Sequence, residues 1–425
     1  MDLVLNYKQS EAIKKARLGR NLFITGSGGV GKSVVIRELE REFGGTSILL
    51  APTGIAALNI GGSTLHRTFG LPFSIATDED SRHYSNKALE LFRDDDYVKT
   101  IIIDEISMVR ADMLVTIDKK LRHLKRKKDV PFGGVQVIVV GDFFQLPPVL
   151  TDKDAEAYYE LYSSAFCFDT DTWDDCDFDI INLTDVMRQD DANTVRALNA
   201  IRRGKESPAI LKWLNTTCSK NTVNHEAIVL CTTNSNAGEL NGERYDEIDA
   251  EEYQYSAKTT GQFRDRPVDA CLRLKEGCRV IVCANDAMAG YMNGQTGVVT
   301  GFNPDYILVE LDTGSVVQVA KNTWEHFDYV ISNGKLSKSV IGSYTQFPLK
   351  LGYAITVHKS QGMTLDDCHI DLGRGAFAHG QTYVALSRIR SLDRLTLERP
   401  VRQSDIIVDD EVIEFQNYIE QLEAA

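Results

Sequence analysis

No stretch constrains this chain more tightly than Gly26-Ser27-Gly28-Gly29-Val30-Gly31-Lys32-Ser33, which fits G-x-x-x-x-G-K-[ST]. Such glycines let backbone N–H groups curl around phosphates where a helix begins and its positive end points at them. Average composition yields about 0.015 chance matches in a chain this long. The setting narrows the reading further. Asn21-Leu22-Phe23-Ile24-Thr25 reads as a short buried strand, and the run from Lys32 to about Phe43 as a helix. Lys32 would then meet the β- and γ-phosphates, and the Ser33 hydroxyl would ligate Mg²⁺. The loop predicts nucleotide binding.

Further apolar runs at Ser47–Ala51, Thr100–Asp104 and Val135–Val140 have the continuous character of strands covered on both faces. Helical stretches such as Ala111–Lys128 separate them, so the pattern predicts a parallel α/β sheet. Asp104-Glu105 ends the third run. One of these carboxylates would hold the magnesium shell, and its neighbour would polarise an attacking water. Adjacent acids favour an ATPase over a small-molecule kinase, and no Asn-Lys-x-Asp guanine reader is present. Gly141-Asp142-Phe143-Phe144-Gln145-Leu146-Pro147-Pro148-Val149 follows the fourth strand, with Gln145 placed to touch the γ-phosphate; a rigid, proline-ended strand exit explains the same residues.

A second α/β unit is expected from about Asp179, with strands near Ala227–Cys231 and Arg279–Cys283. From Asn285 to about Tyr344, short β-rich runs alternate with turn residues and suggest a small inserted barrel. Residues 69–96 are polar and irregular, as an insert projecting from the first sheet would be. Val412, Phe415, Ile419 and Leu422 recur at helical spacing, a closing amphipathic helix. There is no apolar run of membrane-spanning length and no secretory signal pattern. The eight cysteines form no C-x2-C pair, so reduced, mostly buried thiols are expected and zinc is not. Lys and Arg number 47 against 61 Asp and Glu, a formal charge of −14. That balance argues against coating nucleic acid nonspecifically but leaves room for a narrow groove gripping one strand. The run Lys125-Arg126-Lys127-Lys128 reads as a solvated helix end.

In order along the chain, Gly26–Ser33, Ala51-Pro52-Thr53-Gly54-Ile55-Ala56-Ala57, Asp104-Glu105-Ile106-Ser107-Met108 and Gly141–Val149 resemble the N-terminal half of a superfamily 1B DNA helicase. Pro131-Phe132-Gly133-Gly134-Val135-Gln136, leading into Gly141-Asp142-Phe143, is similar to the signature of the Pif1-like branch. Val186-Met187-Arg188-Gln189 resembles motif IV, Tyr353–Gly362 motif V, and Tyr383-Val384-Ala385-Leu386-Ser387-Arg388 motif VI. Tyr353 stands where a Trp is common, a swap that keeps an aromatic. The match runs from about Leu5 to about Leu397.

The resemblance implies an α/β fold of two RecA-like P-loop NTPase lobes, with a small insert in the first and an SH3-like β-barrel insert in the second. The expected divisions are residues 1–68 and 97–178 for the first lobe and 69–96 for its insert, a wedge candidate. Residues 179–284 and 345–425 would form the second lobe, and 285–344 its insert. ATP and Mg²⁺ are the implied cofactors, with Gln9 reading the adenine edge. Arg188 and Arg388 would act as arginine fingers from the far lobe. Thr53, His66, Thr356, His358 and Ser360 would contact strand phosphates without reading sequence. The plainer alternatives, weighed below the strand contact, are a helix cap for Thr53 and a core position for His358. Phe69 and Phe73 would either stack on bases or fill the insert's own core.

The implied activity is ATP-driven 5′-to-3′ translocation on single-stranded DNA with unwinding of duplex at forks. Such an enzyme would serve DNA repair, recombination, replication or telomere maintenance, with replication or repair proteins as possible partners. Fingers within one chain make a monomer sufficient, and no membrane partner is expected. The expected place is intracellular: cytoplasm for a bacterial or phage protein, nucleus or mitochondrion for a eukaryotic one. Two other classes fit parts of the sequence. A DNA-dependent ATPase that remodels protein–DNA complexes without unwinding would keep every motif but lack a working wedge. A non-enzymatic nucleotide switch is opposed by the intact Lys32, Asp104 and Glu105.

Overall fold

The computed structural model describes residues 5–93, 97–185, 191–222, 227–263, 266–286, 288–332 and 335–424. The first lobe is built on six parallel strands in the spatial order Ser63–Thr64, Ser47–Ala51, Thr100–Ile103, Gln136–Val140, Leu22–Thr25, Asp179–Asn182. Successive residues of a strand point to opposite faces, and both faces here are covered. Phe23, Ile48, Leu50, Ile101, Ile103, Val137 and Val139 enter one core, while Leu22, Ile24, Leu49, Ile102, Ile138 and Val140 enter the other. This is why the runs read as unbroken apolar segments.

Asp179–Asn182 pairs with the strand that carries the phosphate loop, Leu22 opposite Asp179 and Thr25 opposite Asn182. The boundary expected at 179 is thus corrected: the first sheet extends through this strand. The second lobe has four parallel strands, ordered Ala354–Thr356, Ile228–Cys231, Cys368–Asp371, Leu395–Leu397. Arg279–Val282 is not among them. It lies inside a five-stranded antiparallel sheet with Thr296–Phe302, Tyr306–Leu311, Val316–Ala320 and Leu349–Leu351. A second antiparallel sheet pairs the long hairpin Asn322–Ser332 and Lys335–Gln346 with Lys258–Gly261, and a two-stranded ribbon joins Glu252–Ser256 to Cys271–Lys275. The all-β region therefore runs from about 252 to 351, wider than 285–344.

The first-lobe insert is also more integrated than its polarity suggested. Phe69, Leu71, Leu91 and Phe92 are buried in one core with Met113, Ile117 and Leu121 of the neighbouring helix. The closing helix Asp410–Ala424 follows the second lobe yet packs Val412, Phe415 and Ile419 into the first lobe's core, beside Phe23, Phe143 and Trp173. Leu422, expected on the same face, stays half exposed. All eight thiols are free, and Cys271 alone of the eight is exposed. Among the described residues no helix is long and apolar enough to cross a membrane.

Candidate active site and nucleic-acid interface

The phosphate loop joins strand Leu22–Thr25 to helix Lys32–Phe43. Gly26, Gly29 and Gly31 all have positive φ, at 141°, 86° and 86°. A Cβ on Gly26 would also lie 2.4 Å from the Leu183 carbonyl oxygen, and one on Gly31 would displace the end of the Gln9 side chain, 2.6 Å away at Nε2. The ammonium of Lys32 rests on the carbonyls of Gly26 and Ser27 at 2.8 and 3.2 Å. Burial lowers its pKa, opposed by the charges of Asp142, Glu105 and Asp104. Ser33 is exposed on the first turn of the helix.

Asp104 and Glu105 leave the end of strand Thr100–Ile103, Glu105 in the left-handed region at φ 51°. Burial raises both carboxyls. Glu105, with Asp104 adding its own charge, is pushed up to about 7. Carboxylate and hydroxyl oxygens are the ligands Mg²⁺ takes. The glycine-rich loop, Lys32, exposed Ser33 and adjacent carboxyls together fit a Mg²⁺-bound triphosphate.

The second lobe closes on this site around Asp142–Gln145. Arg202, on helix Ala192–Arg202, makes a buried ion pair with Asp142 at 2.6 Å and lies 4.4 Å over the Phe144 ring. His379 meets the Phe143 carbonyl at 2.8 Å. Gly380 sits so near that a Cβ would fall 2.5 Å from the Phe144 carbonyl oxygen. Gln361 reaches Glu105 and Gln145 with its amide, each at 3.5 Å. Tyr383 accepts the Gly28 N–H at 2.9 Å. Arg388 is buried, donating to the Val384 carbonyl and the Ser387 hydroxyl, both at 2.8 Å. It is close enough to Glu105 for its charge to lower that carboxyl. Arg188 lies outside the described residues.

Gln9 is buried, and its amide faces the Val30 carbonyl at 3.5 Å while its oxygen completes a capping box with Asn6. It therefore supports the loop and the helix start together.

The strand-contact set divides. Thr53 caps helix Gly54–Asn59 through the Ala56 N–H and stays half exposed. His358 is half-buried, and burial lowers its pKa, so the ring is neutral near pH 7. His66 stacks on Phe73, centroids 4.9 Å apart and planes 17° off parallel, and Phe73 is 78% exposed. Three expectations are corrected. Phe69 is fully buried and stacks on Phe92 at 5.3 Å, so it is core and unavailable to a base. Ser360 is fully buried, its hydroxyl donating to the Val357 carbonyl. Thr356 is 3% exposed, its hydroxyl accepting the Lys359 N–H. Motif spacing cannot separate a hydroxyl that shapes a turn from one that faces a ligand.

Asp142, Gln361 and Tyr383 lay within the quoted motifs without assigned roles, and their partners appear only on folding. Arg202 and His379 carried no sequence signal at all.

A model of the family described as PIF1-like helicase matches residues 4–219. The "ATP-dependent DNA helicase Pif1" of Bdellovibrio bacteriovorus is 34% identical over 99% of this chain and 93% of its own. The chain spans about three fifths of the vertebrate relatives it matches. A structure of Bacteroides sp. Pif1 in complex with ADP-AlF4 superposes with a TM-score of 0.91 at 35% identity, covering 99% of this chain and 98% of that one. Bacteroides Pif1 bound to ssDNA gives 0.70 at the same identity and coverage.

Proposed function

This chain belongs to the PIF1-like helicase family, and on that premise we propose that it is an ATP-dependent DNA helicase. In this reading it travels 5′ to 3′ along a single strand and opens the duplex ahead. The observation that carries the reading is the crevice itself. Lys32, Asp104 and Glu105 of one parallel-sheet lobe lie opposite Arg388, Gln361 and Tyr383 of the other beside the glycine-rich loop.

Cleavage of the γ-phosphate supplies the free energy. The chain's own groups do the rest. Loop N–H groups and Lys32 hold the phosphates, while Ser33 and Asp104 would hold Mg²⁺. Glu105 would orient the attacking water and draw its proton. Arg388, with Arg188 as a second finger, would offset charge developing in the transition state. Gln145 and Gln361 link that chemistry to the lobe interface, so a change in phosphate contacts alters how the lobes close.

Thr53, His66 and His358 offer polar groups suited to a backbone, and the His66–Phe73 stack offers a base platform. An exposed Phe73 favours duplex separation over a translocase lacking a wedge. One chain holds both fingers, so a monomer suffices for turnover. Unwinding of 5′-tailed against 3′-tailed duplexes with ATP tests activity and polarity together. Opening of the 3′-tailed substrate alone would reverse the assigned direction, and no strand-stimulated ATP turnover would refute the function.

A further inference from the structure

The second lobe reaches the phosphate loop with a tyrosine hydroxyl. Tyr383 lies on the short helix Gln381–Leu386 with its ring in the second lobe's core, 3% exposed. Yet its oxygen accepts the Gly28 N–H, a contact between residues 355 positions apart. Packing alone would be met by phenylalanine, so the hydroxyl requires its own account. Among the described residues, no acceptor is paired with the phenol's O–H. Burial pushes that phenol up to about 12, with the charge of Asp142 acting the same way, so it stays a proton donor across working pH. Asp142, Arg202 and Arg388 surround it closely enough to act on its titration.

Gly28 sits four residues before Lys32, in the part of the loop whose N–H groups wrap the terminal phosphates. The tyrosine oxygen therefore occupies the position of an acceptor that a phosphate oxygen would take. Once a phosphate claims that N–H, the hydroxyl lies beside an anion with a hydrogen to donate. A diphosphate leaves the outer part of the loop empty, and the phenol can remain on Gly28.

We propose that Tyr383 is a further nucleotide-contacting residue, which donates its hydroxyl to the terminal phosphate of a nucleoside triphosphate and rests on Gly28 otherwise. The proposal deepens the reading above and depends on it. It makes the second lobe's affinity for the first responsive to the γ-phosphate through a neutral donor, alongside the charged fingers.

The test is Tyr383→Phe in the full chain, with dissociation constants for ADP and for a non-hydrolysable fluorescent ATP analogue measured with Mg²⁺ and without DNA. A hydrogen bond to a charged group corresponds to roughly tenfold or more in affinity. The analogue is expected to bind about tenfold more weakly while ADP changes less than about twofold. Retained ADP binding also shows that the variant is folded. Equal weakening of both ligands, tightening of both, or no change in either would overturn the proposal. A wild-type chain that binds neither nucleotide would instead sink the helicase reading itself.

Discussion

Asp142 and Arg202 form the most heavily buried charge pair at the lobe interface, and their environment dictates what their loss would do. Removing one partner leaves the other charged and unsolvated, which costs about 3–5 kcal/mol. Arg202→Ala should therefore lower the urea midpoint sharply, and pairing it with Asp142→Asn should restore much of the loss. Burial alone would raise the Asp142 carboxyl, but the charge and hydrogen bonds of Arg202 outweigh it and hold the group below its usual range. As pH falls, the unfolded chain is protonated first. The pair's stabilisation is thus full above about pH 4 and is lost as pH drops through the folded value. Urea midpoints between pH 6 and pH 2 should fall less steeply in Asp142→Asn than in wild type. In the crevice, Lys32→Ala should abolish ATP turnover with an unchanged melting temperature. Arg388→Ala should cut turnover by about 10³ while largely sparing nucleotide affinity, read by steady-state kinetics beside equilibrium binding. Lys32, Asp104 and Glu105 were legible because their chemistry is local and ordered along the chain. Arg202 was not, since an arginine's meaning depends on a carboxylate 60 residues away.

Among the elements, the closing helix shows most clearly where periodicity stops being informative. Apolar residues at helical spacing identify an amphipathic helix, but nothing in that spacing says which lobe receives it. Its destination is set by Phe415, which lies parallel to Phe168 at 4.2 Å and edge-on to Phe143 at 5.6 Å. Phe415→Ala should destabilise by about 2–3 kcal/mol, whereas Leu422→Ala, at a half-exposed position, should stay within about 0.5 kcal/mol; chemical denaturation distinguishes them. The insert shows the complementary limit. Its polar composition hid anchors supplied from outside: Lys120 donates to the carbonyls of Phe69 and His83, and Asp112, itself paired with Arg110, accepts the Ala76 N–H. Loop 70–83 is thereby held at several points while Phe73 remains in solvent.

Taken whole, the molecule has a second bridge between its halves besides the crevice. The long hairpin of the all-β region lies on the first lobe, where Tyr329 accepts the Leu49 N–H at 2.7 Å, Asp328 pairs with Arg67 at 3.4 Å, and Lys338 reaches Glu40 and Gly61. Superposition is better on Bacteroides Pif1 without DNA, at 0.91 with ADP-AlF4 and 0.89 unliganded, than on the ssDNA-bound form, at 0.70. Weakening the bridge should shift the population away from this arrangement. Asp328→Ala is expected to tighten binding of a fluorescent single-stranded oligonucleotide several-fold, and unchanged affinity would show that the hairpin contact opposes nothing. The closing helix carries a different consequence. The family match ends at residue 219, but the aromatic pocket of Phe23, Phe143, Phe168 and Trp173 is sealed only by a segment some 190 residues later. During synthesis the nucleotide-binding half must wait with that greasy hollow open until Asp410–Ala424 has been made, so chains truncated before that helix should be found in inclusion bodies.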